Sequence, residues 1–199
     1  MPGVHLSLPR QRPVGIMGVN GAGKSTMLMA AAGVLAPGSC LVDGIASDAS
    51  ACGYVPQDYP CMPDIRVEAY CRLFALELAA LHTRLPELYL DELKHERIHS
   101  LSAGQRQAVT NAVALSVPAR LLVFDEPFSA LDVRRRAGLR GYIKHAAQSR
   151  PVLLASQAGA DLLDLCGYFV VLRAGRVVFQ GPLEALDDHS GDAHSLASR

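Results

Sequence analysis

Gly18-Val19-Asn20-Gly21-Ala22-Gly23-Lys24-Ser25-Thr26 decides how the rest of this chain is read. The stretch fits G-x-x-x-x-G-K-[ST], and its flanks fit too. Val14-Gly15-Ile16-Met17 is an apolar run with the character of a buried strand. Lys24 to Val34 is rich in Ala, Leu and Met, which predicts a helix halted by Pro37-Gly38. The glycines allow successive backbone N–H groups to turn inward on phosphate oxygens, and the helix N-terminus adds its partial positive charge at the same point. Lys24 is placed to reach β- and γ-phosphates, and Ser25 to offer its hydroxyl to Mg²⁺. A chance glycine-rich turn would not supply strand, loop, lysine, hydroxyl and helix in order, so the stretch reads as a nucleotide-binding site.

Composition bounds the rest. The 199 residues suffice for one sizeable core with a small accessory lobe, and half of them are hydrophobic, as in a globular chain. Lys plus Arg equals Asp plus Glu at 19 each, which leaves no basic excess to grip nucleic acid. Cys40, Cys52, Cys61, Cys71 and Cys166 show no C-x-x-C pairing and no signal peptide is evident, so a reducing, cytoplasmic setting is expected. Apolar runs such as Leu121 to Phe124 fall far short of the roughly 20 residues of a membrane helix, so action at a membrane requires another chain to span it.

Outward from the phosphate loop, Val4 to Leu8 alternates as a half-exposed strand, and Cys40-Leu41-Val42 and Gly53-Tyr54-Val55 are short strand candidates. From Asp64 to Asn111 the character turns helical: Val67, Tyr70, Cys71, Phe74, Leu78 and Leu81 recur at spacings of three and four, and Pro86 starts another short piece. Leu121-Leu122-Val123-Phe124 is apolar without alternation, the pattern of a strand buried on both faces of a parallel sheet. A basic amphipathic helix over Val133 to Gln148, a buried strand over Val152 to Ala155, a short helix over Asp161 to Leu165, and a hairpin of Tyr168 to Leu172 with Val177 to Gln180 follow. The residues from Asp187 to Arg199 read as a frayed tail. The expected fold class is α/β: a phosphate-loop NTPase core with a mostly parallel sheet, a small antiparallel β element and an inserted helical subdomain. The core spans about 1–58 and 119–186 and the insert about 59–118.

Moving a γ-phosphate calls for a metal anchor and a group that orients the nucleophile, both at the carboxyl ends of parallel strands. Asp125 and Glu126 stand there, Asp125 to hold the Mg²⁺ shell and Glu126 as base or water-orienting carboxylate. Leu101-Ser102-Ala103-Gly104-Gln105 has two compatible readings. One is a capping box in which Ser102 and Gln105 satisfy each other's backbone N–H groups, which says nothing of Gly104. The other is a helix start that is itself an anion site, with Gly104 permitting close approach.

Gly18 to Thr26, Gln57 within Tyr54-Val55-Pro56-Gln57, Leu101 to Gln105, Leu121 to Pro127, and Ser129-Ala130-Leu131-Asp132 together resemble the ordered motif set of an ATP-binding cassette (ABC) ATPase, over about Val4 to Leu186. The resemblance implies a head-to-tail dimer with itself or a homologous cassette. It sandwiches two ATPs, each between the phosphate loop of one copy and Ser102, Ala103, Gly104 and Gln105 of the other. It implies that Gln57 touches Mg²⁺ and relays nucleotide state to an integral membrane permease docked near the helical lobe. Asp132 would tie the two sites together across the interface, and Glu126 would be the catalytic carboxylate. Tyr59 to Leu81 resembles the corresponding region of drug or antibiotic exporters.

The sequence departs from the family pattern at three places. Gln157 follows Val152-Leu153-Leu154-Ala155-Ser156 where the family has a histidine on the γ-phosphate. An amide donates a hydrogen bond but carries no charge and shuttles no proton. Losing one electrostatic donor commonly costs roughly 10²–10³ in rate. Hydrolysis is therefore either slowed or sustained by an amide that holds the same geometry. The aromatic residue that stacks on adenine would lie upstream of the first residue, so the start is late or the base is held loosely. Ala103 replaces a glycine, a small change. His95 and His99 at helical spacing lack a third metal ligand and read as a solvated helix face, as does Arg134-Arg135-Arg136. The rival readings are a cassette that binds ATP but scarcely hydrolyses it, and a soluble ABC ATPase without a transport role. The neutral charge and single cassette oppose the latter. A kinase or GTPase would leave Leu101 to Gln105 and Asp132 without a role.

Overall fold

Leu121–Asp125 forms a strand, β6, in which all five side chains are buried. The computed structural model describes residues 5–6, 8–9, 11–35, 41–42, 45–58, 64–157 and 159–187. β6 lies between β5 (Cys52–Val55) and β7 (Val152–Ala155), parallel to both, with Leu122 level with Gly53 and Val152. β2 (Val14–Met17) pairs parallel with β7 on one side and with β8 (Tyr168–Arg173) on the other. β9 (Arg176–Pro182) returns antiparallel to β8, giving the order β5-β6-β7-β2-β8-β9. The turn between them, Ala174-Gly175, has both φ angles positive, the backbone of a type I′ hairpin. A separate small sheet joins β1 (His5–Leu6), β3 (Leu41–Val42) and β4 (Ile45–Ala46), with β3 parallel to β1 and antiparallel to β4. Val4, Ser7 and Cys40, also expected in strands, lie outside the described residues.

Alternation along the central strands divides the core in two. Leu121, Val123, Leu153, Ala155, Val170 and Leu172 face α1 (Lys24–Ala31), whose Met27, Leu28 and Ala31 complete that layer. Leu122, Phe124, Val152, Leu154 and Phe169 face the opposite way and share one cluster with the helices. Helices on both faces are what an unalternating apolar strand requires.

α1 is shorter than expected. It ends at Ala31 because Gly33 takes a φ of 74°, with Gly33 N–H donating to Ala30 O and Val34 N–H to Met29 O, a Schellman stop. Pro37-Gly38, expected to halt it, lies outside the described residues. The helical stretch is also interrupted. α2 (Val67–Arg72) and α3 (Leu78–Arg84) are separate helices because Ala75 has a φ of 57°. Val67, Cys71, Leu78 and Leu81 of the expected stripe are buried, whereas Phe74, just past the end of α2, is 41% exposed. Pro86–Leu88 is a short 3-10 turn with Pro86 at its first position.

α4 (Ala103–Ser116) starts at Ser102 with a complete capping box. It stops at Val117, whose extended φ/ψ is what the following Pro118 favours. Its final carbonyls are gathered by Arg150, which donates to Leu115 O at 2.6 Å and Val117 O at 2.9 Å. α5 (Val133–Ala147) is capped by Asp132, whose carboxylate accepts from Arg135 N–H at 2.9 Å. α6 spans Gly159–Leu163, two residues earlier than expected, and α7 (Leu183–Asp187) was not expected. Residues 188–199 are not described.

Two surface readings need correction. His95 and His99 do not share a helix: His95 lies in a turn and His99 in a 3-10 turn, where its Nδ1 is 2.8 Å from Asp64. Arg134-Arg135-Arg136 is not simply a solvated face. Arg135 pairs with Asp132 at 2.8 Å, donates to Leu88 O and lies over the Tyr89 ring. Arg136 donates to Phe128 O at 3.1 Å and approaches Asp161.

Candidate nucleotide site

The phosphate loop runs from the end of β2 to the start of α1. The N-cap of α1 is Gly23 (φ 101°), which offers no side chain to the first N–H groups and so leaves them facing the loop. Lys24 is 8% exposed, and its Nζ donates back to the carbonyls of Gly18 at 2.8 Å and Val19 at 3.3 Å. Ala22 is buried; its N–H reaches Val19 O, and its carbonyl accepts from Gly175 of the hairpin, which braces the loop from outside.

The carboxyl ends of β6 and β7 face this helix start. Asp125 is 2% exposed and accepts a hydrogen bond from the Ser25 hydroxyl. Burial pushes its carboxyl above the ordinary range, against the pull of Ser25 and the Lys24 charge, and Asp58 adds to the rise. Glu126 then takes a φ of 53°, the left-handed region, while its N–H still donates to Ala155 O at 2.9 Å. That conformation costs a non-glycine residue about 1–2 kcal/mol. The Glu126 carboxylate accepts from Ser156 Oγ at 3.2 Å and from the Gln157 N–H. Burial raises its pKa and these bonds oppose the rise.

Together these groups line a cleft of about 320 Å³ that takes in Asn20, Gly21, Gly23, Lys24, Ser25, Thr26, Gln57, Asp125, Glu126 and Gln157. The arrangement offers backbone donors and a lysine to phosphate at one wall, and a pair of carboxylates at the other. Ser25, Gln57 and Asp125 supply oxygen donors only, a set that suits Mg²⁺. Among the described residues no cluster of three or more His, Cys, Asp or Glu could hold a metal by itself.

Ser102, Ala103, Gly104, Gln105 and Asp132 do not line this cleft. Ser102 Oγ accepts from Gln105 N–H at 3.2 Å, and Gln105 Oε1 accepts from Ser102 N–H at 2.9 Å. Gly104 has an intramolecular reason to be glycine: a Cβ there would stand 2.5 Å from Ala130 O. One turn on, Gln107 donates to Glu126 O at 2.8 Å and accepts from Ala130 N–H at 2.9 Å, and Asn111 donates to Pro127 O at 3.1 Å. Sequence reading missed Gln107, Asn111 and Ser156. The signal for the first two is their position three and seven residues after Gly104, a polar stripe on a helix that is otherwise apolar on that side.

A second cavity, about 540 Å³, opens beside β5, which is an edge strand, between Tyr54, Pro56, Tyr70, Phe74, Thr110 and Val113. No described helix is long and apolar enough to cross a membrane.

The model of the family described as ABC transporter matches residues 1–129. The chain belongs to the ABC transporter family. Its cassette is an ATP-binding domain, and the ATP-binding proteins of this family are ATPases. It is 30% identical over 204 residues to the probable sulfate/thiosulfate import ATP-binding protein CysA of Chlorella vulgaris, covering 94% of this chain and 86% of that protein. It is 34% identical to the Fe(3+) ions import ATP-binding protein FbpC of Pseudomonas fluorescens, covering 96% of this chain and 60% of that protein. It is also 34% identical to the molybdenum import ATP-binding protein ModC 2 of Bradyrhizobium diazoefficiens, where the cassette covers 91% of itself and spans only 22% of the relative. A solved ATP-binding subunit of an ABC transporter superposes with a TM-score of 0.78 at 26% identity, covering 92% of this chain and 84% of the other. The three curated relatives are import proteins by name, and a solved bacterial Atm1-family ABC exporter shares the fold, with a TM-score of 0.77 at 24% identity; residues 59–63 of the stretch expected to resemble exporters lie outside the described residues.

Proposed function

We propose that this cassette binds Mg·ATP in the cleft and hydrolyses it to drive transport through separate integral membrane permease subunits. The observation that carries the reading is the convergence of Lys24, Ser25, Asp125, Glu126 and Gln157 on one cleft. Gly18 to Thr26 cradle the phosphates, Ser25, Asp125 and Gln57 hold Mg²⁺, and Glu126 orients the attacking water or takes its proton. Gln157 holds the γ-phosphate. Two copies, or this cassette and a homologous one, pair head to tail, so that Ser102 to Gln105 of each meet the nucleotide of the other and Asp132 joins the sites across the interface. The two-lobed division, a core of about 1–58 and 119–186 and a helical subdomain of about 59–118, serves that geometry.

The groove beside β5 is where the permease docks. It is lined by Tyr70 and Phe74, lies at a sheet edge, and adjoins Pro56-Gln57, so a partner seated there would feel Gln57 move. The cassette then works at the cytoplasmic face of the cell membrane, and the relatives' names favour uptake over export. The balanced charge gives no support to a nucleic-acid partner.

The test is Mg²⁺-dependent ATP turnover with Glu126→Gln as matched control, followed by co-purification with the permease. Turnover that collapses in the mutant supports a working motor subunit. A second reading, a regulatory cassette with slow hydrolysis, is favoured by Gln157, whose amide carries no charge. It predicts intact ATP binding, turnover no greater than that of Glu126→Gln, and a gain on Gln157→His.

A further inference from the structure

Gly104, Gln107 and Asn111 lie three and four residues apart and so form one stripe along α4. All three meet the chain between Glu126 and Ala130. Gly104 allows Ala130 O to approach, Gln107 bonds Glu126 O and Ala130 N–H, and Asn111 bonds Pro127 O. Gln107 also donates to Ser129 Oγ at 3.1 Å, and that hydroxyl donates in turn to Glu126 O. Gln107 is 6% exposed and Asn111 fully buried. Asn111 Oδ1 has no hydrogen-bond partner among the described residues.

The loop also carries the strain. Glu126 is the residue with φ 53°, and a β-strand ending in a non-glycine residue relaxes toward negative φ unless something holds it. Its N–H is held by β7, and its carbonyl accepts from Gln107 at 2.8 Å and, at longer range, from the N–H and hydroxyl of Ser129, so the shortest bond that sets the plane of the peptide after Glu126 comes from α4.

We infer that Gln107 is a positioning residue for Glu126: its buried amide fixes the left-handed backbone that aims the Glu126 carboxylate at Ser156 and Gln157. The inference rests on the reading of Glu126 as the working carboxylate.

The full chain is tested with two variants. Gln107→Glu keeps an acceptor for Ala130 N–H and removes the donor to Glu126 O, and Gln107→Met, of similar shape, removes both. Misplacing a reacting group by about 1 Å costs up to about 10²-fold. Both variants are expected to lower kcat about 10- to 100-fold with KM for ATP within about twofold. In a Glu126→Gln background, Gln107→Met is expected to change the residual rate by less than about twofold, because its effect passes through the missing carboxylate. The ¹³Cα and ¹³C′ shifts of Glu126 are expected to leave left-handed values in Gln107→Met, a readout independent of turnover. Unchanged kcat in Gln107→Glu, an equal loss in both backgrounds, or unmoved Glu126 shifts would overturn the inference. If Glu126→Gln alone leaves turnover intact, the role of Glu126 falls, and the shifts still decide whether Gln107 sets its backbone.

Discussion

Two helix starts in this molecule, those of α1 and α4, treat their free N–H groups in opposite ways. α1 opens on Gly23 with no side-chain cap, its lysine folded against the loop carbonyls and two buried carboxylates opposite. α4 opens on Ser102 with its capping box closed. A helix start that leaves its donors open keeps a binding site ready, whereas one that closes them is stable by itself and presents only what the cap leaves over. Here that is the N–H groups of Ala103 and Gly104, which the box bonds do not reach, and the Ser102 hydroxyl proton, since Ser102 Oγ is used as an acceptor. The first end is built to hold a ligand alone. The second, on the proposed head-to-tail pairing, would complete a site held by the other copy.

Breaking the open end has the largest expected effect. Lys24→Ala removes the cation of the cleft and frees the carbonyls of Gly18 and Val19. Turnover is expected to fall by about 10²–10³ or more, with nucleotide binding lost in a fluorescent-nucleotide titration. If Ser102→Ala costs as much binding in the separate chain, the two ends are not different in kind. Gly104→Ala is next. Its methyl would meet Ala130 O, and overpacking of this sort costs about 1–3 kcal/mol. Thermal unfolding is expected to shift down by several degrees, while the neighbouring position already carries Ala103 without strain. An unshifted transition would assign Gly104 to ligand approach alone.

Acid dependence separates the ends further. The carboxylates facing α1 are pushed up by burial, whereas the backbone N–H of Arg135, then its side chain and charge, hold Asp132 below the usual range. On its proposed role Glu126 must be ionised to accept a proton, so the rate is expected to rise with pH through its elevated pKa. Ser156→Ala deletes a bond to the charged form and is expected to move that acid limb to higher pH, with Ser156→Thr restoring it. For stability the sign is opposite. A carboxyl whose folded pKa is raised contributes most below its unfolded value and loses that contribution as pH rises through the folded one. Glu126→Gln is therefore expected to melt higher than wild type at pH 7, with the difference vanishing toward pH 4 in scanning calorimetry. The smallest effect is at the closed end: Ser102→Ala loses a cap worth about 1 kcal/mol, or roughly 2–4 °C in the melting temperature.

The open end was legible in the sequence because its parts are consecutive. The phosphate loop, the strand ending at Asp125 and the Ser102–Gln105 box each declare themselves within a few residues, and the unalternating Leu121 to Phe124 run placed that strand inside a parallel sheet. The connections between these parts were not legible. Gln107 reaches across 19 residues to Glu126, and Ser156 across 30: the polar stripe on α4 marks Gln107 as facing something without saying what, and no local pattern distinguishes Ser156 from any strand-end hydroxyl. The arginines after Asp132 looked like surface charge for the same reason: their partners, Leu88, Phe128 and Asp161, come from elsewhere in the chain. The end of α1 was misplaced because Gly33 was passed over in favour of the Pro37-Gly38 pair, although a single glycine in the left-handed region suffices.

The stripe of Gly104, Gln107 and Asn111 has a mechanical consequence. Helix and loop meet at three successive levels, two of them hydrogen-bonded, so the loop behind Glu126 adds the support of α4 to the turn bonds it makes within itself. Under the proposed head-to-tail pairing, a pull on the front of α4 would reach the backbone of Glu126 through these contacts. In a paired assembly the readiness of one site would then be set by the arrival of nucleotide at the other, and the two would keep common time.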